Sequence, residues 1–194
     1  MNSLLKQVTP SATVMMRMDH THVLATFHRY HTDSSAHTKR SIVRLICNAL
    51  EVHAQLEEEI FYPAMRALAS GGALVDKSLS EHARMKELIA KLRNMEPADS
   101  VYDDTVMEMM RDVIHHVADE ETMLLPDAER RLGDQLLQEL GAQMLKRRLE
   151  LAGPRAGEIA VDTVIAMPVA SMVVSVSAVL AGFYVLSRAF GRNA

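Results

Sequence analysis

Apolar residues recur every three or four positions through most of the chain, the spacing of amphipathic helices. Met16, Val23, Leu24 and Phe27 predict a helix over about 13–31, after Pro10-Ser11. Ile42, Ile46, Ala49, Leu56 and Ile60 predict a second over about 37–69, ended by Gly71-Gly72. Val75, Leu79, Met85, Ile89 and Leu92 mark a third over about 74–95, stopped before Pro97. Val106, Met109, Val113 and Met123 mark a fourth over about 100–131. Short connections make consecutive helices antiparallel neighbours, so the expected fold is all-α, an up-down-up-down four-helix bundle over 11–152. A fifth stretch, about 133–151 with Leu136, Leu137, Leu140 and Met144, reads as a short extra helix capping the bundle.

Polar residues on the apolar stripes carry the chemistry. His20 lies on the stripe of Met16 and Val23, and His82 lies between Leu79 and Met85. His53 and Glu57 are four apart on the second helix, as are His116 and Glu120 on the fourth. A spacing of four puts imidazole and carboxylate on one helix face. Two carboxylates buried in an apolar core are expensive unless paired or bound to a metal. Facing His and Glu in a bundle core are a known way to hold two metal ions. The stretch HAQLEEEIFYP, from His53 to Pro63, is echoed by HVADEETMLLP, from His116 to Pro126. That 63-residue repeat assigns the inward place in the His115-His116 doublet to His116 and leaves His115 in water. His22, His28, His31 and His37 fit no such position and are expected in solvent.

These stretches resemble a known family. MDHTHVL, HAQLEEEIFYP, LSEHARMKEL and HHVADEETMLLP are similar to the four signature stretches of hemerythrin-like, HHE cation-binding domains, over about residues 13–151. The resemblance implies two non-haem irons bridged by two carboxylates and an oxo or hydroxo group. By position it implies His20, His53, His82 and His116 as terminal ligands and Glu57 and Glu120 as bridges. Oxygen-carrying members place a further ligand His one turn after the third-helix His. That position here is Lys86, which predicts an open coordination position and a short-lived O2 adduct.

Composition changes the picture at the C-terminus. The net charge of −4 argues against a basic nucleic-acid binder. The mean hydropathy of zero averages two unlike parts. Residues 159–194 contain only Asp162, Arg188 and Arg192 as charged side chains. After a breaker-rich linker, 153–158, the segment 159–187 is expected to be a transmembrane helix. Its uncharged run from Val164 to Leu186 would be about 34 Å long as a helix, enough for a hydrocarbon core of roughly 30 Å. Lys146, Arg147, Arg148 and Arg155 precede the span, which predicts a single-pass inner-membrane protein with its metal domain in the cytoplasm. Ser171, Ser175, Ala178 and Gly182 form a small-residue stripe that would suit a homodimer. The lone cysteine, Cys47, falls among apolar residues as a core side chain.

The function expected from the sequence is binding of O2 or a related small oxidant by a membrane-anchored di-iron protein. Two alternatives remain open: an enzyme acting on peroxide or nitric oxide at the same irons, or a non-catalytic iron store or sensor.

Overall fold

A computed structural model describes residues 9–68 and 72–166. Its regular structure is helical throughout the described residues: α1 (Ala12–Phe27), α2 (Ala36–Leu56), α3 (Tyr62–Arg66), α4 (Gly72–Arg93), α5 (Tyr102–Asp119), α6 (Leu125–Ala152) and α7 (Ala156–Ala166). The Ser11 and Ser35 side chains accept the Val14 and Thr38 amides and so cap α1 and α2. Helix α1 ends earlier than the stripe predicts. The amides of Arg29 and Tyr30 turn back to the carbonyls of Thr26 and Phe27, closing the last turn tightly.

Cross-helix pairs set the directions. Arg40 meets Glu96, and Glu58 meets His82, so α2 and α4 run antiparallel. Lys77–Asp119 and Arg84–Asp112 fix the same relation between α4 and α5. Arg17–Glu121 and Tyr30–Asp103 fix it between α1 and α5. Helices α1, α2, α4 and α5 thus close a bundle, with α6 laid against α1 and α7 against α2.

The second and fourth predicted helices are not uniform α-helices. Glu57–Phe61 and Glu120–Leu124 are π-helical turns, in which the Tyr62 and Leu125 amides donate to the Glu57 and Glu120 carbonyls. Each precedes a proline, Pro63 or Pro126, that has no amide and whose ring crowds the carbonyl four residues back. A turn widened to five residues relieves that crowding. It also resets the phase of the stripe. Ile60 and Met123, expected inside, become half-buried and 39% exposed respectively, and Phe61 and Leu124 take the core instead.

The core has two apolar clusters. One holds Val23, Phe27, Ile42, Ile46, Leu50, Ile89, Met109 and Val113. The other holds Met16, Leu56, Phe61, Met65, Val75, Leu124 and Leu125. His20, His53, His82 and His116 fall in sequence between members of the two clusters, so a buried polar layer divides the bundle.

Gly133, at φ 72°, bends α6 where the fourth predicted helix gives way to the fifth. Only glycine adopts that conformation without strain. Beyond the bend, Leu137, Leu140 and Met144 are buried, whereas Leu136 is 38% exposed. The expected linker 153–158 is instead a 3-10 turn, Gly153–Arg155, followed by the start of α7. Among the described residues no helix is long and apolar enough to cross a membrane. The expected transmembrane segment lies outside the described residues from position 167 onward.

Candidate metal centre

The bundle brings all six sequence-predicted site residues into the buried layer. His20 comes from α1, His53 from α2, His82 from α4 and His116 from α5, while Glu57 and Glu120 open the two π turns. Glu57 spans two groups. Its Oε1 lies 3.2 Å from His53 Nε2, and its Oε2 lies 3.2 Å from His82 Nε2. Glu120 Oε2 lies 3.3 Å from His20 Nε2 and 3.5 Å from His116 Nε2. The Nε2 atoms of His82 and His116 are 3.2 Å apart. Donor atoms of His20, His53, Glu57 and Glu120 fall within 4.8 Å of one another, as do those of Glu57, His82 and His116.

Four buried atoms in this layer have no hydrogen-bond partner: His20 Nε2, His53 Nε2, Glu57 Oε1 and Glu120 Oε2. Orphaned polar atoms in a core are costly. These four belong to one convergent group, and they are the donor types that hold a first-row divalent ion. The donor set therefore fits a metal.

Each histidine is held from behind by a carboxylate. Nδ1 of His20 contacts Glu121 Oε1 at 2.8 Å, and Nδ1 of His53 contacts Asp19 Oδ2 at 3.3 Å. Nδ1 of His82 contacts Glu58 Oε1 and that of His116 contacts Glu81 Oε2, both at 2.9 Å. A carboxylate only accepts, so each Nδ1 keeps its proton and each Nε2 points inward. A cation backs every carboxylate: Arg17 on Glu121, Arg148 on Asp19, Lys86 on Glu58 and Lys77 on Glu81. The arrangement repeats between the halves of the bundle. Asp19-His20 matches Glu81-His82, and Glu57-Glu58 matches Glu120-Glu121.

Electrostatics follow from this pairing. Burial disfavours charge on His53, but Glu57 and Asp19 outweigh it and hold its pKa well above the ordinary imidazole value. Burial alone would raise Glu57, yet His53 and His82 hold it well below the usual carboxylate range. Asp19 is also lowered, against its burial, by His53 and Arg148.

A family model described as the hemerythrin HHE cation binding domain matches residues 11–128. The chain belongs to that family. It is also similar to a DNA nickase of Nostoc sp., with 26% identity over 147 residues. That match takes in 74% of this chain but 42% of the nickase, so the chain spans less than half the length of that relative. A solved hemerythrin HHE cation-binding domain-containing protein from Mycobacterium kansasii superposes with a TM-score of 0.66 at 19% identity. The overlap covers 78% of this chain and 93% of that one, and it establishes a shared fold.

Within the hemerythrin HHE frame, Lys86 and His115 lie outside the layer as expected, and Tyr62 is an addition to it. Lys86 is outside the layer: its side chain is 52% exposed and its Nζ lies 2.7 Å from both oxygens of Glu58. Tyr62 is inside it. Its hydroxyl lies 2.8 Å from Glu120 Oε1, 3.2 Å from Glu57 Oε2 and 3.3 Å from His82 Nε2. Burial, reinforced by the charges of Glu57 and Glu120, pushes the phenol pKa strongly up. Its counterpart in the 63-residue repeat is Leu125, so the phenol is present on one side alone. His115 is turned out, 69% exposed, with Nδ1 3.3 Å from Asp119 Oδ2.

A cavity of about 280 Å³ reaches the layer at His20, His53 and His116. Val23, Met85 and Val113 line its wall, and Ile159 and Thr163 of α7 close over it.

Proposed function

We propose that this chain is a hemerythrin-like non-haem di-iron protein that binds O2 or a related small oxidant, tethered to the inner membrane by the part of 159–187 that follows α7, with the bundle in the cytoplasm. The convergence of four orphaned buried donors carries the metal reading. In this reading His20 and His53 would hold one ion, His82 and His116 would hold the other, and Glu57 and Glu120 would be shared between them. Tyr62 places an oxygen beside His82 Nε2, Glu57 and Glu120.

Two redox-active ions held here would supply open coordination positions and electrons to a small oxidant. The chain's own contribution is positional. Four carboxylates fix the tautomer and ring orientation of the histidines, and the Tyr62 hydroxyl donates to Glu120. The cavity favours an exchangeable ligand over a sealed iron store, because its volume equals that of about nine liquid waters at roughly 30 Å³ each. The uncharged run and the basic residues before it support the membrane tether.

Metal analysis of the full chain with anaerobic and aerobic absorption spectra tests the centre. About two irons per chain and an oxidant-dependent band are expected, and iron-free protein would refute the reading. Membrane fractionation tests the tether, since full-length protein should resist carbonate extraction. Recovery in the soluble fraction would remove that part of the proposal.

A further inference from the structure

The same face of the bundle that carries Glu81 presents a second set of metal-binding groups. His115 and Asp119 stand one turn apart on α5, and Glu81 faces them from α4. His115 Nδ1 lies 3.3 Å from Asp119 Oδ2 and 3.7 Å from Glu81 Oε1, and all three donor atoms fall within 4.8 Å of one another. Ligand atoms around one tetrahedral ion with bonds of about 2.0–2.2 Å are separated by roughly 3.3–3.6 Å. The 3.3 Å separation falls in that range and the 3.7 Å one lies about 0.1 Å beyond it, so a small side-chain shift brings all three groups onto a single ion.

The trio already gathers a cation. The ammonium of Lys77 contacts Asp119 and sits 3.8 Å from Glu81 Oε1. A lysine half in solvent is a displaceable occupant, because its flexible stem can carry the charge back into water. Glu81 faces both ways. Its Oε2 holds the buried His116 through Nδ1, while its Oε1 looks outward to His115 and Lys77.

We propose that Glu81, His115 and Asp119 form a surface site for one borderline divalent transition ion such as Co2+, Zn2+ or Fe2+, with Lys77 its competitor and solvent completing the coordination. One nitrogen and two carboxylate oxygens match that class of ion. The site is separate from the buried layer, yet shares Glu81 with it, so an ion here stands one carboxylate away from His116. The inference does not depend on the proposed di-iron function.

Equilibrium dialysis of the chelator-stripped full chain against Co2+, followed by metal analysis, tests it. Wild-type protein should bind one Co2+ that His115→Ala loses, whatever the buried layer takes up. Lys77→Met should bind that equivalent about tenfold more tightly, since the competing ammonium is gone. Both side chains are exposed, so neither change opens the apolar core, and because Lys77 also backs Glu81 only the His115-dependent equivalent is read in Lys77→Met. Superimposable isotherms for wild type and His115→Ala would overturn the proposal. So would a Lys77→Met isotherm that is unchanged or weaker.

Discussion

Replacing Tyr62 by Phe removes one oxygen from the centre of the buried layer and leaves the ring in place. The hydroxyl has a single proton, and its shortest contact, 2.8 Å, is to Glu120 Oε1. In metal-free protein Glu120 already has its other oxygen unpartnered, so the variant would leave both without a donor hydrogen bond. A hydrogen bond to a charged group contributes about 1.5–3 kcal/mol. Phe fills the same space, so no cavity term is added. For a chain of this size each kcal/mol moves the melting midpoint by about 2–4 °C. A loss of about 2 kcal/mol therefore lowers Tm by about 4–8 °C in the chelator-treated protein. Thermal unfolding followed by circular dichroism measures it. A variant that melts within 1 °C of wild type would show that the phenol does not support the carboxylates, and the account of the layer would fail.

Three further outcomes are expected. His53→Ala or His116→Ala should lose metal from the buried layer, whereas His115→Ala should keep it, and metal analysis of the three proteins decides between them. Gly141→Ala should destabilise the bundle by about 1–3 kcal/mol, because its Cβ would lie 2.2 Å from the Pro10 carbonyl oxygen, and an unchanged urea midpoint would contradict that close approach. Cys47 is buried, which pushes its thiol up to about 12. Only about one thiol in ten thousand is ionised at pH 8, so a disulfide reagent should modify it slowly in folded protein and fast in urea.

Much of the layer was legible in the sequence because it obeys the helical period. His20, His53, His82 and His116 stand on apolar stripes, and each Glu follows its His by one turn, so the six residues share a face without any knowledge of how the helices pack. The supporting groups obey no such rule. Asp19, Glu58, Glu81 and Glu121 each reach a histidine on a different helix, a relation that only the assembled bundle creates. A trace of them is nonetheless present in the paired dipeptides Asp19-His20 and Glu81-His82, and Glu57-Glu58 and Glu120-Glu121. Tyr62 was hidden for a geometric reason. Five residues after Glu57 on an ideal α-helix is about 140° around the axis, but the π turn brings the position back toward the same face. The phase change that admits Tyr62 also moves Ile60 off the core face, and its counterpart in the second π turn turns out Met123. The paired prolines, Pro63 and Pro126, were the sequence sign of both turns.

The break between Tyr62 and Leu125 gives the centre a front and a back. The repeat makes the two halves alike in imidazole, carboxylate and backing charge, so a visiting molecule would find no preference in those groups. The phenol stands beside His82, while the cavity comes down onto His20, His53 and His116. A molecule diffusing in from solvent therefore meets both histidines of the first half and His116 of the second, and His82 with the phenol beside it last. Direction of approach is written into a single position of an otherwise duplicated plan.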